Sequence, residues 1–206
     1  MIKNKIKNII FDWDGTLLDS LNSLYETVND IFKELRVKPI SIAEFRADYE
    51  LPYMKFYRRY TDAPQETIDD LFKKIRPKYK AELFPGVRET LKYLKEQKVN
   101  MLILSATPQS TLEDELRDLK IDFYFRDVYG SSPDKVKALP RIIAENNLNL
   151  NETAYVGDLV FDIEAGKKAG VKTIAVLCGQ DPAFKLLAKA PDEKINSIRE
   201  LEGFVK

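Results

Sequence analysis

Residues 12–16 read Asp-Trp-Asp-Gly-Thr and directly follow a short apolar run that ends at Phe11. Runs of this length, rich in Ile, Val and aromatic residues, are typical of strands that a parallel sheet buries on both faces. Alternate side chains at the carboxyl end of such a strand share one direction, so Asp12 and Asp14 can approach one site if the backbone stays extended. Because two crowded carboxylates repel each other, they need a bound cation or a retained proton.

A tight turn is expected immediately after these two aspartates, because Gly15 and Thr16 follow them. Such a turn exposes backbone N–H groups that can hold anionic oxygens, so both residues are candidates for substrate binding. The alternative interpretation is a solvated turn, since Asp and Gly are common in turns.

Further apolar runs of similar length alternate with helical patterns along the chain. The runs predict strands at Ile6 to Phe11, Val99 to Leu104, Phe123 to Tyr129, Thr153 to Val156, and Thr173 to Leu177. The helical patterns cover Pro85 to Gln97, Thr107 to Leu119, Ser132 to Asn146, and Leu159 to Ala169, with Ser132 expected to cap the third of them. This alternation is typical of a doubly wound parallel sheet, so the sequence predicts an α/β fold.

One segment breaks the alternation, because residues 20–80 contain helical patterns and no convincing strand. Ser41 and Glu44 form the pattern of a capping box, and Pro64 is expected to open the last helix of the segment. The segment therefore predicts a helical bundle inserted between the first strand and the rest of the sheet. Its aromatic residues are expected to form the bundle core, while Arg58 or Arg59 is a candidate for reaching an anionic substrate.

The composition limits the class of protein. A chain of 206 residues corresponds to one domain with a substantial insertion, and 44% apolar residues support a soluble globular core. The 33 basic residues balance the 33 acidic ones, so no net charge favours nucleic acid or an anionic membrane as a partner. No run approaches the roughly 20 apolar residues of a membrane span.

Two further counts restrict the chemistry and the compartment. The chain has no histidine, which excludes histidine triads and histidine-ligated zinc, so catalysis must depend on carboxylates, lysines and hydroxyls. The single cysteine, Cys178, cannot form an internal disulfide; we expect it to be buried as a small apolar residue, in a protein of the reducing cytoplasm.

A second acidic segment strengthens the interpretation of the first. Asp158 follows the predicted strand Thr153 to Val156, and Asp162 lies four residues further on, so a helix starting there would place both carboxylates on one face. Helix capping alone would explain Asp158 but not the other aspartates. Four aspartates at the carboxyl ends of two strands predict a hard oxygen site of the kind that binds Mg²⁺ together with a substrate phosphate.

The ordered set of motifs resembles the haloacid dehalogenase (HAD) superfamily, and within it the phosphoglycolate-phosphatase-like branch. The resemblance rests on Phe-Asp-Trp-Asp-Gly-Thr-Leu-Leu-Asp-Ser at 11–20, Phe-Pro-Gly-Val at 84–87, Leu-Ile-Leu-Ser at 102–105, a basic residue near 135, and Gly-Asp-Leu-Val-Phe-Asp at 157–162. It implies a Rossmann-like core formed by residues 1–18 and 81–206, and an inserted helical cap of the C1 type at 19–80. It also implies Mg²⁺-dependent phosphoryl transfer.

Carried over to this chain, the resemblance makes Asp12 the nucleophile that forms an aspartyl-phosphate. A carboxylate needs no activating base at neutral pH, which agrees with this role. Asp14 would be the general acid and then the general base. The resemblance further implies a Mg²⁺ site formed by Asp12, the backbone carbonyl of Asp14 and Asp158, with Asp162 either as a further ligand or as a hydrogen-bond partner of the ligands.

The remaining site residues also follow from the resemblance. Ser105 would donate a hydrogen bond to the phosphoryl group, and Ala106 would contact the substrate beside it, where many relatives carry a polar residue. Apart from the resemblance, Ser105 could instead cap the next helix, although Thr107, which precedes Pro108, is the better candidate for that cap. Lys135 would neutralise the phosphate, with Lys137 as the rival.

The predicted function is hydrolysis of a small phosphorylated metabolite. A phosphomutase of the same branch would carry every one of these motifs, and so remains an alternative. A non-catalytic phosphate-binding regulatory protein is the alternative of a different class, although such a protein would be expected to lack Asp12 or Asp14. The sequence indicates neither the substrate nor the oligomeric state.

Overall fold

Eight strands and nine α-helices follow one another along residues 5–205, the part of the chain that the computed structural model describes. The strands are β1 Asn8–Phe11, β2 Leu18–Asp19, β3 Glu82–Leu83, β4 Asn100–Leu104, β5 Asp127–Tyr129, β6 Thr153–Gly157, β7 Lys172–Val176 and β8 Glu193–Ile195. The helices are α1 Leu21–Glu34, α2 Ile42–Asp48, α3 Met54–Tyr57, α4 Gln65–Ile75, α5 Val87–Glu96, α6 Gln109–Asp118, α7 Lys135–Glu145, α8 Val160–Ala169 and α9 Ala183–Ala188.

Six strands form one parallel sheet in the order β5-β4-β1-β6-β7-β8. Strand β1 is central, with Phe11 opposite Ile103 of β4 on one side and opposite Val156 of β6 on the other. The carboxyl ends of these three strands therefore lie side by side, where ligands bind in open α/β sheets. The sheet confirms the predicted α/β, Rossmann-like fold.

The sheet separates two apolar layers, because successive side chains of a strand point to opposite faces. On β1, Ile9 and Phe11 belong to one layer and Ile10 to the other, and β4 divides in the same way. Helix α5 packs on the first layer and α7 on the second. This double burial explains why the strand sequences read as continuous apolar runs rather than as an alternation.

Helices α1–α4 form the predicted insertion and have an apolar cluster of their own. Phe32, Phe45 and Phe56 lie at its centre, and their rings contact neighbouring tyrosines. Ser41 and Glu44 form the predicted capping box at the start of α2, and α4 begins immediately after Pro64. Strands β2 and β3 pair antiparallel on either side of the insertion. The division into a core of 1–18 and 81–206 and a cap of 19–80 stays a prediction.

The structure departs from the predicted elements at several places. Helix α7 begins at Lys135, with Asp134 rather than Ser132 as its cap, because the Asp134 carboxylate accepts the N–H of Lys137. The strand predicted over residues 123–129 is shorter, since a 3₁₀ turn occupies Asp122–Tyr124. Strand β8 was not predicted, because an edge strand that reads Glu-Lys-Ile has no apolar run.

No helix within residues 5–205 is both long enough and apolar enough to cross a membrane.

Candidate active site

Three carboxylates meet at the carboxyl ends of the central strands. Asp12 follows β1, Asp158 follows β6, and Asp162 lies in the first turn of α8, where the helix N-terminus favours a negative charge. One carboxylate oxygen from each of the three residues lies within 4.8 Å of the others, and all three side chains are buried. The structure thus brings three of the four predicted aspartates together.

Lys135 supplies the positive charge beside this cluster. Its Nζ atom lies 2.6 Å from Asp12 Oδ1 and 2.8 Å from Asp162 Oδ1, and only 1% of the residue is exposed. Lys135 is the first residue of α7. Lys137 instead pairs with Asp134 at the surface, with 86% of its side chain exposed. The structure therefore places Lys135, and not its rival, at the cluster.

Asp158 is held from two sides. The Thr16 hydroxyl donates to its Oδ1 atom over 2.9 Å, and the backbone N–H of Gln180 donates to its Oδ2 atom over 2.7 Å. Two glycines allow this close approach, because a Cβ atom would lie 2.1 Å from Asp158 Oδ2 at Gly15 and 2.3 Å from that atom at Gly179. The two glycines are therefore needed for the position of the carboxylate.

The electrostatics of the cluster favour a cation. Burial, then repulsion from Asp162 and Asp158, raise the pKa of Asp12 well above its usual value, although Lys135 opposes the shift. Burial and the Asp162 charge likewise raise the pKa of Asp158. Burial alone would lower the pKa of Lys135, but the two carboxylates that it contacts raise it. One ammonium group does not compensate three buried carboxylates.

The donor set fits a divalent cation that prefers oxygen. Oxygen is the only ligand atom that the three side chains offer, and Mg²⁺ and similar hard cations bind through carboxylates and water. Asp12 Oδ1 accepts hydrogen bonds from Trp13 N and Lys135, whereas Asp12 Oδ2 accepts none from the described residues. That oxygen is available to a ligand. A divalent cation is thus compatible with the cluster.

Asp14 lies apart from these three carboxylates and has different partners. Its Oδ1 atom lies 3.0 Å from Arg76 Nη2, and its Oδ2 atom accepts the Thr107 hydroxyl over 2.6 Å. Arg76 also contacts Glu115 Oε1 at 2.9 Å. The Asp14 carboxylate is therefore not in the group that can hold a metal, and it faces the cavity between the insertion and the sheet.

The predicted substrate contacts divide into two sets. Ser105 and Ala106, which follow β4, line the cavity beside Asp12. The Ser105 Oγ atom accepts the Thr107 N–H over 3.0 Å, which leaves its own hydrogen free to donate. Gly15 and Thr16 are not among the described residues that line the cavity, and their N–H groups donate to Leu18 O and Trp13 O within the turn. The turn is thus present, with a φ of 79° at Gly15, but its N–H groups are used.

Two residues that line the cavity, and one that contacts it through Asp14, have contacts that the sequence patterns did not predict. Thr107 was expected to cap α6, yet its hydroxyl holds Asp14. Gln180 lines the cavity, and its buried Oε1 atom has no hydrogen-bond partner among the described residues. Its signal is a glycine and a polar residue just after a strand of the parallel sheet, the pattern that also marks Asp158.

Arg76 is the third residue, and it contacts Asp14, which lines the cavity. It follows α4 directly, four residues after Phe72 and eight after Ile68, and so continues the apolar face of that helix, where a basic residue is unusual. An arginine on such a face is a usable sequence signal. The two arginines predicted as candidates for a substrate contact lie elsewhere, since Arg58 donates to Ala63 O and Arg59 pairs with Asp48 and Glu50.

Trp13 and Cys178 are neighbours of site residues in the chain, since Trp13 separates Asp12 from Asp14 and Cys178 precedes Gly179. Trp13 is buried in the core beside the site, and its indole N–H donates to Glu115 Oε2 over 2.7 Å. Cys178 was expected to be buried, and this was wrong: it is exposed, because the loop after β7 turns it outward before Gly179 and Gln180 approach Asp158.

Comparison with known proteins places this geometry in context. The family model described as haloacid dehalogenase-like hydrolase matches residues 9–176. A phosphoglycolate phosphatase of Pseudomonas fluorescens strain Pf-5 is 28% identical over 215 residues, which cover 94% of this chain and 77% of that protein. A phosphoglycolate phosphatase of Synechococcus elongatus is 27% identical over 200 residues, which cover 94% of each chain.

A solved structure agrees with the sequence comparisons. A haloacid dehalogenase-like family hydrolase of Streptococcus pneumoniae superposes with a TM-score of 0.82 at 25% identity, and the match covers 98% of this chain and 99% of the other. The match includes the inserted helices as well as the sheet, so the similarity extends over both parts of the cavity wall.

Proposed function

The chain belongs to the haloacid dehalogenase-like hydrolase family, in its phosphoglycolate-phosphatase-like branch, and on that premise we propose that this phosphatase is Mg²⁺-dependent and hydrolyses a small phosphorylated metabolite through an aspartyl-phosphate. The observation that carries the proposal is the Asp12 carboxylate, which lines the cavity and has one oxygen bound by Lys135, while the other accepts no hydrogen bond from the described residues. A cytoplasmic location is part of the proposal, given the single cysteine.

In the first step, an oxygen of Asp12 attacks the phosphorus, and the bond from phosphorus to the leaving alcohol breaks. Asp14 gives its proton to the alcohol oxygen as that bond breaks. Ser105 and Lys135 lie on the same cavity wall as Asp12, and we assign to them the hydrogen bond and the positive charge that hold the phosphoryl oxygens.

In the second step, water attacks the phosphorus of the aspartyl-phosphate. Asp14 takes a proton from that water, the bond between phosphorus and Asp12 breaks, and inorganic phosphate leaves. Thr107 and Arg76 hold the Asp14 carboxylate from two sides, so one carboxylate stays in place for both proton transfers. Asp12, Asp158 and Asp162 would hold the Mg²⁺, whose chemistry is to neutralise the negative charge of phosphate and carboxylates.

The nucleophile is tested with Asp12→Asn and with Asp19→Asn as the matched control, because Asp19 is an exposed carboxylate of the same motif. Hydrolysis of p-nitrophenyl phosphate is expected to fall by at least about 10³-fold in Asp12→Asn and to stay near wild type in Asp19→Asn. Circular dichroism checks that both variants are folded. A folded Asp12→Asn enzyme with wild-type activity would refute the assignment.

The metal is tested by the thermal midpoint without substrate. Because a ligand that binds only the folded state stabilises it, Mg²⁺ should raise the midpoint of the wild type and should do so much less in Asp158→Asn. Removing the metal with EDTA should abolish hydrolysis, and added Mg²⁺ should restore it. Full activity in EDTA would contradict the metal requirement.

A further inference from the structure

The wall that the inserted helices contribute to the cavity is almost entirely apolar or aromatic. Its residues are Leu24, Val28, Tyr49, Leu51, Tyr53, Tyr57, Ile68, Asp69 and Phe72. One of them carries a charge, and that charge is negative. Asp69 is fixed on the wall by the Tyr53 hydroxyl, which donates to its Oδ1 atom over 2.6 Å.

The cations near the cavity are already paired. Among the described residues that line it, Lys135 is the single basic side chain, and it binds Asp12 and Asp162 on the sheet side. Arg76 is the basic residue of the insertion that comes near, but it contacts Asp14, Glu115 and the Ser23 hydroxyl and is 1% exposed. A second negative group on a substrate would therefore find no partner on the wall.

Tyr49 and Tyr57 are the tyrosines of this wall whose hydroxyls have no hydrogen-bond partner among the described residues, and both residues line the cavity. Burial, then the nearby Asp14 charge, raise the pKa of Tyr49, so the hydroxyl stays neutral. It can donate to an ester or hydroxyl oxygen without adding charge.

We propose that the substrate is a phosphate monoester of an uncharged, largely apolar or aromatic alcohol, and that the enzyme discriminates against alcohols that carry a carboxylate. The inference rests on the proposed phosphatase function and names its substrate class. A carboxylate on this wall would lose its hydration, gain no counter-ion and face Asp69. When an uncharged alcohol binds, its apolar part instead covers the apolar side chains of the wall, and removing this apolar surface from water favours binding. Phosphoglycolate would thus be a poor substrate.

The test compares 4-methylbenzyl phosphate with 4-carboxybenzyl phosphate in the presence of Mg²⁺. The two esters have similar shapes, and the methylene group insulates the reacting oxygen from the carboxylate. We expect kcat/KM to be at least about 100-fold higher for the methyl compound. The smaller pair of 2-hydroxyethyl phosphate and phosphoglycolate should differ in the same direction. An equal or higher kcat/KM for the carboxylates would overturn the substrate class and leave the phosphatase proposal intact. If neither pair released phosphate, the proposed function would fall, and this inference with it.

The role of Asp69 is tested with Asp69→Asn, and Asp70→Asn is the matched control because Asp70 is exposed on the same helix. Asparagine keeps a hydrogen-bond acceptor for Tyr53 and removes the charge. The kcat/KM of the methyl ester divided by that of the carboxy ester should be roughly 3–10-fold smaller in Asp69→Asn than in the wild type. In Asp70→Asn this quotient should keep its wild-type value. An unchanged ratio in Asp69→Asn would contradict the repulsive role of this wall.

Discussion

The Nη2 atom of Arg76 lies 3.0 Å from the Oδ1 atom of Asp14, so a side chain at the end of the inserted helices holds a carboxylate that follows the central strand. The guanidinium also contacts Glu115 of α6 at 2.9 Å. Burial alone would lower the pKa of Arg76, but these two carboxylates raise it, so its positive charge is retained in the interior. Arg76 therefore joins the insertion to the sheet at the edge of the cavity.

Replacing Arg76 by Met should destabilise the fold, because Asp14 and Glu115 would lose their counter-ion in a buried setting. We expect the free energy of unfolding to fall by about 3 kcal/mol, as measured by urea denaturation. Arg76→Lys should recover part of the loss, since it keeps the charge but not the planar fork. Lys78→Met is the control: Lys78 is exposed in the same turn, and its loss should change stability by less than about 0.5 kcal/mol. Equal stability of Arg76→Met and wild type would show that the contact is dispensable.

The sequence predicted the sheet well and the contacts between distant segments poorly. Apolar runs mark strands buried on both faces, and the motif around Asp12 and Asp158 marks where two of them end. Whether a side chain turns toward the metal cluster or toward Arg76 depends on tertiary packing, which no local pattern records. Asp12 and Asp14 both line the cavity, but the Asp14 carboxylate pairs with Arg76 and lies outside the cluster of three carboxylates. The backbone carbonyl of Asp14 stays a predicted metal ligand.

Thr107 was predicted to cap a helix, but its hydroxyl donates to Asp14 instead. We therefore expect this hydroxyl to affect catalysis. Thr107→Val keeps the shape and removes the 2.6 Å hydrogen bond to Asp14 Oδ2. Hydrogen bonds to charged groups are worth about 1.5–3 kcal/mol, so kcat should fall by about 10–100-fold while KM changes little. Steady-state kinetics on an aryl phosphate measure both constants. Thr107→Ser should return kcat to within about 3-fold of wild type. If kcat of Thr107→Ser were as low as that of Thr107→Val, the loss would come from the missing methyl group and not from the hydroxyl.

Two lysines of one helix provide a matched pair for the phosphate-neutralising role. Lys135→Met would leave Asp12 and Asp162 without a cation, and we expect a loss of about 3–5 kcal/mol of unfolding free energy. Activity below the unfolding transition should fall by at least about 100-fold. Lys137→Met removes an exposed pair with Asp134 and should change stability by less than about 0.5 kcal/mol and activity hardly at all. A larger effect on activity from Lys137 than from Lys135 would reverse the assignment.

Gly179 tests whether the position of Asp158 sets the affinity for the metal. A Cβ atom added at Gly179 would lie 2.3 Å from the Cβ and Oδ2 atoms of Asp158, so Gly179→Ala must displace this carboxylate from Thr16 and from the N–H of Gln180. Changes to groups that orient a ligand typically cost 10–100-fold in metal affinity, and we expect the Mg²⁺ concentration for half-maximal activity to rise by about that factor. Gly203→Ala is the matched control, because a Cβ atom there meets nothing within 4 Å. An unchanged Mg²⁺ requirement in a folded Gly179→Ala enzyme would mean that Asp158 does not hold the metal.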